Sequence, residues 1–204
     1  MKIGIIGSGN VGGNLGRGWS AKGHEVLFGS RNPQSEHIQE LIEEAGSAAR
    51  AGTLDEALAF GEVIVIALHW DILPQVLPAI KGDWTDKIVI DSTNRFTETS
   101  SQQSAAEDIA EMLPDARVVK AFNTIWAESL LTPAFGEQVA TMFVAGDDEE
   151  AKAAVRHLVQ GLGFEAVDAG GLNNAIYLET LTKFLVTLAN TTFGRQIAFK
   201  LLRR

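Results

Sequence analysis

An α/β fold, doubly wound about a mostly parallel sheet and ending in a short C-terminal helical extension, is what the sequence predicts. Three observations carry this. Short apolar runs alternate with helical patterns through most of the chain, as successive βαβ units require. The string Gly7-Ser8-Gly9-Asn10-Val11-Gly12 joins the first apolar run to the first helical pattern. The 204 residues suit one domain with a small appendage, enough to bury about 70% of the unfolded surface. The expected division is a domain over residues 1–170 and an extension over 171–204.

The first strand is Lys2 to Ile6, apolar without alternation because a parallel strand is covered on both faces. The helical pattern Asn10 to Lys22 follows, with Leu15 and Trp19 four apart on one face. Glu25 to Gly29 is the second strand and Ser35 to Glu44 the second helix; a weaker strand near Ala48 to Ala51 leads into Leu54 to Phe60, with Thr53 as N-cap. Glu62 to Ala67 and Lys87 to Asp91 are the next strands. A helix from Gln102 to Leu113, opening on Ser101, carries the chain to Arg117 to Lys120. The strand Ala140 to Ala145, the helix Asp147 to Leu162 with its start at Gly146-Asp147, and the strand Glu165 to Asp168 complete the pattern. From about Gly170 the strand signal stops, and Ile176, Leu181, Phe184, Leu185, Leu188, Ile197 and Leu201 recur at helical spacing. Tyr177, Leu178, Val186 and Ala189 widen that stripe. A helix apolar around so much of its girth is expected to be covered on more than one side, with a homodimer contact favoured over packing within the chain.

Composition removes several classes of function. Seventeen Lys and Arg against 26 Asp and Glu give a formal net charge of −9, which repels nucleic acid and anionic membrane surfaces. With no Cys, thiolate nucleophiles, disulfides and cysteine zinc sites are excluded, and His24, His37, His69 and His157 show no ligand spacing, so no metal is expected. No run approaches the roughly 20 apolar residues of a membrane span, nor the about 7 to 15 of a signal peptide core at the N-terminus. A soluble, cytoplasmic protein is expected.

The glycine string is a weak signal alone and a strong one at a strand-to-helix junction. There Gly7 makes the tight turn, Gly9 lets backbone approach a pyrophosphate and Gly12 allows close helix packing, while Ser8, Asn10 and Val11 complete the loop. The helix N-terminus offers free N–H groups and a partial positive charge to phosphates. About 20 residues on, an NAD-specific site would place an acid to bind the ribose. Here the second strand runs into Gly29-Ser30-Arg31-Asn32, a hydroxyl and a guanidinium with no carboxylate to repel a 2′-phosphate, so NADP(H) is the expected cofactor.

Ligands of open parallel sheets lie beyond the carboxyl ends of the strands. The segments placed there are Ala67-Leu68-His69-Trp70, Asp91-Ser92-Thr93-Asn94 and Lys120-Ala121-Phe122-Asn123-Thr124, all expected to face the nicotinamide half. His69 is a candidate proton donor, Trp70 a wall for a flat ring, and Asn94 and Asn123 hydrogen-bonding partners; Thr93, Ala121 and Phe122 join the cofactor-binding set.

The glycine string, Gly29-Ser30-Arg31, Val118 to Thr124 and Asp168-Ala169-Gly170-Gly171-Leu172 together resemble the NADPH-dependent reductases of the 8-hydroxy-5-deazaflavin coenzyme F420. The Lys-Ala-Phe-Asn pattern is also similar to the cytosolic NADPH domain of the six-transmembrane metalloreductases. The resemblance runs from Met1 to Leu202 and implies a Rossmann-type domain, a homodimer, NADP(H), and direct hydride transfer to F420 or a flavin-like ring. Residue by residue it implies Ser8 to Val11 at the pyrophosphate, Ser30 and Arg31 at the 2′-phosphate, and His69, Trp70 and Ala121 along the nicotinamide. His69 and Gly171 stand where that family often has Pro, which bears on the acceptor more than on NADP.

Hydride transfer between two rings needs close stacking and little side-chain acid or base. Tyr177 has Leu181 four positions on, so a Tyr-x-x-x-Lys acid cannot be built. Two other readings stand beside this one: a small imine or 3-hydroxyacid dehydrogenase using Lys183, and a non-enzymatic NADPH sensor or electron-transfer module.

Overall fold

The computed structural model describes residues 1–96 and 103–204. Its elements are β1 (Lys2–Ile6), α1 (Asn10–Ser20), β2 (Glu25–Gly29), α2 (Glu36–Ala45), β3 (Ala49–Gly52), α3 (Leu54–Phe60), β4 (Val63–Ile66), α4 (Leu73–Val76), β5 (Ile88–Asp91), α5 (Ala105–Met112), β6 (Arg117–Lys120), β7 (Ala134–Phe135), β8 (Gln138–Val139), β9 (Thr141–Gly146), α6 (Glu149–Gly161), β10 (Glu165–Asp168) and α7 (Ala175–Leu188). One eight-stranded sheet has the order β10-β9-β6-β5-β4-β1-β2-β3, and β7 and β8 form a separate hairpin. The six strands from β6 to β3 are parallel, with Ile3 opposite both Val26 and Val63. β9 runs antiparallel to β6, pairing Val119 with Gly146 and Lys120 with Ala145, and β10 is parallel to β9. The doubly wound, mostly parallel Rossmann-type sheet is therefore present.

Each face of the sheet has its own core. On one, Ile3, Ile5 and Phe28 meet Leu15 and Trp19 of α1, Leu41 of α2 and Leu158 of α6. On the other, Ile6, Ile64 and Ile66 meet Leu58 of α3, Leu73 of α4 and Ile109 of α5. Each such fully buried side chain contributes about 1.5–3 kcal/mol. The Trp19 indole N–H is satisfied by the Leu158 carbonyl at 3.1 Å, so its polar atom costs nothing on burial.

Thr53 caps α3 in a reciprocal capping box with Glu56, as expected. Ser101, expected to cap the next helix, lies outside the described residues; Ser104 caps α5, again in a box, with Glu107. α6 is capped by Asp148 rather than Gly146-Asp147, because the Asp148 carboxylate reaches the Ala151 N–H at 2.7 Å. The turns from Trp70 to Ala79, absent from the sequence reading, begin afresh at Pro74 and Pro78, each suited to a first helical turn.

The tail is the largest departure. Helix continues to Phe193 and stops at Gly194, whose φ of +68° is left-handed. Ile197 and Leu201, expected on a helix, lie in an irregular strap. The Thr141 N–H donates to the Phe199 carbonyl at 2.9 Å, and Leu201 N–H to the Thr141 hydroxyl at 3.0 Å. Phe199 also stacks on Phe184, centroids 6.3 Å apart, which ties the strap to α7. β6 pairs only the end of β9, at Ala145 and Gly146, and hydrogen bonding to the open start of β9 outweighs helical periodicity once a glycine has broken the helix.

Candidate active site

The strand order reverses between β1 and β4, neighbours whose chain continuations leave in opposite directions, and the crevice beyond their carboxyl ends is the expected ligand position in such sheets. The glycine string forms one wall. Gly7 has φ +113°, and a Cβ there would overlap the Ala67 carbonyl of the neighbouring strand end. A Cβ on Gly12 would overlap the Gly7 carbonyl, so this glycine is required for α1 to approach β1. A Cβ on Gly9 would meet nothing within 4 Å, so the backbone there faces open space. Gly9 caps α1 without a side-chain bond, and no acid lies in the first turn, so the N–H groups remain available to an anion. Ser8, Asn10 and Val11 are all at least partly exposed beside it.

His37, on the exposed start of α2, lies with Nε2 2.9 Å from the Ser8 carbonyl. A carbonyl can only accept, so Nε2 donates and holds the loop from outside. Sequence reasoning treated His37 only as a non-ligand, and the contact bridges 29 residues.

At the end of β2, Ser30 N–H donates to the Gly52 carbonyl at 2.9 Å, and its hydroxyl accepts from Asn32 N–H at 3.1 Å. Arg31 is exposed and has no ion pair among the described residues. No carboxylate occupies the strand end.

At the end of β4, Ala67 and Leu68 are half-buried and His69 is exposed, with no side-chain bond as it caps the turn Trp70–Ile72. The Arg95 guanidinium covers one face of Trp70 at 4.1 Å. That leaves one face of the ring, at most, for a ligand. Arg95 is itself buried and paired with Asp108.

The ends of β5 and β6 are buried and charged. Asp91 and Lys120 stand opposite one another in the ladder, and the Lys120 ammonium donates to the Asp91 carboxylate at 2.7 Å, the Thr93 carbonyl at 2.7 Å and the Glu179 carboxylate at 2.9 Å. Glu179, on α7, also accepts the Ala105 N–H at 2.8 Å, at the start of α5. Asp91 and Lys120 head two of the strand-end segments expected to face the nicotinamide half but carried no role of their own there, and Glu179 was not among the expected site residues. Two predicted strands that both end on a charge, and an acid on the apolar stripe of α7, are the signals that were there to find.

Asn123 is buried, and its amide donates to Asn94 Oδ1 at 3.0 Å and to the Thr182 hydroxyl at 3.2 Å, while its own Oδ1 has no partner among the described residues. The Thr93 and Thr124 hydroxyls are likewise buried and unpaired. Orphaned polar atoms in a dry place are costly, and three of them at adjacent strand ends are what a polar ligand group would satisfy. Ala121 and Phe122 are fully buried, so only backbone is on offer from them. The Phe122 ring packs edge-on against Trp19, centroids 5.5 Å apart, and its φ of +65° is left-handed. Lys183 is exposed on α7.

Beyond β10, the Asp168 carboxyl lies below the usual carboxylate range. Burial pushes it up, but the Gly170 N–H at 2.8 Å and the Lys152 ammonium prevail. Asp147 accepts the Leu172 N–H at 2.8 Å, so Asp168 to Leu172 is a built turn leading into α7.

Residues 2–95 match the family model described as NADP oxidoreductase, coenzyme F420-dependent. The chain is 30% identical over 208 residues to the F420-dependent NADP reductase of Methanothermobacter thermautotrophicus, covering 92% of this chain and 89% of that protein. It is 33% identical over 189 residues to metalloreductase STEAP3 of Rattus norvegicus, covering 88% of this chain and 36% of the metalloreductase, so it spans about a third of that relative. A crystal structure from Arthrobacter sp. FB24, provisionally assigned as an F420-dependent NADP reductase, superposes with a TM-score of 0.88 at 27% identity over 100% of both chains.

Proposed function

Because the chain belongs to the F420-dependent NADP reductase family, we propose that it is an NADP(H)-dependent oxidoreductase that moves a hydride between NADPH and the deazaflavin ring of coenzyme F420. The observation that carries the cofactor assignment is the end of β2, where the Ser30 hydroxyl and the unpaired Arg31 guanidinium stand with no carboxylate between them. A 2′-phosphate fits that pair and an unphosphorylated ribose makes poor use of it. The free N–H groups at Gly9 to Val11 hold the pyrophosphate, and the open space over Gly9 admits it.

On the other half of the crevice, Thr93, Asn123 and Thr124 offer unpaired buried polar atoms for the carboxamide. Ala121 and Phe122 supply backbone floor, and Ala67, Leu68 and the open side of Trp70 exclude water. When bound, the nicotinamide supplies a hydride. The chain orients and desolvates the rings rather than moving a proton: Asn123 positions by its amide bonds, and His69 is the exposed group at the mouth. We read the protein as a cytoplasmic homodimer, supported by Tyr177 (69% exposed), Phe184 (53%) and Phe193 (61%) on and beside α7. Among the described residues no helix is long and apolar enough to cross a membrane.

The test is Arg31→Ala with calorimetric titration of both dinucleotides. A charge-assisted hydrogen bond is worth about 1.5–3 kcal/mol, so NADPH should bind roughly tenfold to a hundredfold more weakly and NADH almost unchanged. An unchanged NADPH affinity would overturn the assignment.

A further inference from the structure

We propose that Lys120 and Glu179 are positioning residues for the hydride step, through which α7 fixes the backbone on the nicotinamide side of the crevice; this rests on the NADP(H) reading above. Neither touches the solvent side of the site: Lys120 is fully buried and Glu179 nearly so. Their bonds reach three segments that meet at the ring end. Lys120 holds the Thr93 carbonyl directly, while Asp91 holds the Thr93 N–H at 2.8 Å, so the peptide groups on both sides of Thr93 are fixed by one ion pair. Glu179 joins Lys120 to the first turn of α5, and Thr182, one turn further along α7, donates to the Asn123 carbonyl at 3.0 Å and accepts from the Asn123 amide.

Between the two ties lies Phe122, a non-glycine residue in the left-handed region. Such a conformation persists only where the surroundings over-determine it, and it tends to mark functional turns. Here the surroundings are Lys120 on one side, Asn123 bound to α7 on the other, and the Phe122 N–H directed at Met142 sulfur at 3.2 Å. Neutral packing of the same volume would fill this space at less desolvation cost, so a buried triad of charges is better understood as fixing one arrangement than as supplying stability. The arrangement fixed is the pair of loops that carry the buried, unpaired hydroxyl and amide oxygens of Thr93, Asn123 and Thr124.

The test is Glu179→Gln, which keeps an acceptor for Ala105 N–H and removes the negative charge that faces Lys120. Single-turnover hydride transfer from NADPH to the oxidised deazaflavin is measured beside NADPH affinity and thermal midpoint. We expect transfer to slow by about tenfold or more, with NADPH affinity changed less than about threefold, because Arg31 and the glycine loop lie on other elements. Lys120→Arg, which keeps the cation, should retain more of the rate than Lys120→Met. If Glu179→Gln transfers hydride at the parent rate, the proposal fails even if the midpoint falls, since a purely structural role predicts that pattern. If the variant does not fold, Thr182→Val, which cuts the ties of α7 to Asn123 together with the hydroxyl's bond to the Leu178 carbonyl within the helix, is measured in the same way, and an unchanged rate there overturns the proposal. A parent protein that binds no NADPH would instead overturn the underlying reading.

Discussion

From Gly7 to Gly12 the chain is shaped by backbone: one left-handed glycine, one glycine pressed on a carbonyl, one glycine facing open space, and, among the described residues, a single side-chain bond, from His37. At the ends of β5 and β6 the backbone is shaped by side chains, with an ammonium, two carboxylates, an amide and a threonine hydroxyl drawn from β5, β6 and α7. In the proposed function the first wall takes a phosphate chain, which any set of N–H groups can hold once they point the right way. The second would take a flat ring whose reacting atom must be placed closely, which calls for a stiffer frame. The same crevice therefore has a wall made by the absence of side chains and a wall made by their burial.

The sharpest way to break the comparison is to remove the centre of the second wall. Lys120→Met leaves Asp91 and Glu179 buried without their shared cation, and losing one partner of a buried charge pair costs about 3–5 kcal/mol. Chemical denaturation should show a loss of that size. A loss below about 1 kcal/mol would mean that the carboxylates find other partners and that the wall is not held as described.

Two glycine substitutions probe the first wall and should differ from each other. Gly12→Ala places a methyl group on the Gly7 carbonyl and should destabilise by about 1–3 kcal/mol while displacing the loop. Gly9→Ala meets nothing in the free protein, and its extended backbone, φ −74° and ψ −165°, accepts alanine. Its stability should therefore stay within about 0.5 kcal/mol of the parent, with NADPH binding weakened by about tenfold because the methyl group enters the space left for phosphate. Equal effects of the two on folding would erase the distinction between a packing glycine and a binding one.

The two walls also differ in how far they could be read from the chain. Gly7, Gly9, Gly12, Ser30 and Arg31 lie in the turns directly after β1 and β2, so their spacing alone places them. The α/β alternation, the strands and the Thr53 cap were legible for the same reason, since each depends on local periodicity or a three-residue reciprocal bond. Lys120 binds Glu179 across 59 residues, and Asn123 binds Thr182 across the same span. Only the fold brings such pairs together, so Asn123 stood out as a residue type without its partner, and Glu179, buried four positions before the exposed Lys183, was not singled out. The tail misled for another reason: Ile197 and Leu201 keep helical spacing, but Gly194 interrupts the helix before they can use it.

The C-terminal strap belongs to neither wall, and its titration offers the smallest and most selective check. The Glu165 carboxyl sits below its ordinary 4.5, chiefly because the Lys200 ammonium bonds to it, at 2.6 Å, and secondarily because the Thr141 hydroxyl does. A carboxyl depressed in the folded chain stabilises it fully above 4.5, and that contribution is lost as pH falls through the lower folded value. The strap should therefore loosen under acid, seen as faster amide exchange at Leu201, whose N–H donates to Thr141. The Asp168 carboxyl is depressed as well, so acid alone does not isolate the strap. Glu165→Gln does: it should make Leu201 exchange rapid already at neutral pH, once the intrinsic pH dependence of exchange is allowed for, and leave NADPH binding unchanged. A half-exposed pair of this kind is still weak and partly salt-screened, so the effect should shrink further in high salt. If Glu165→Gln instead weakened NADPH binding, the strap would be part of the frame that α7 imposes on the nicotinamide side, reached through the stacking of Phe199 on Phe184.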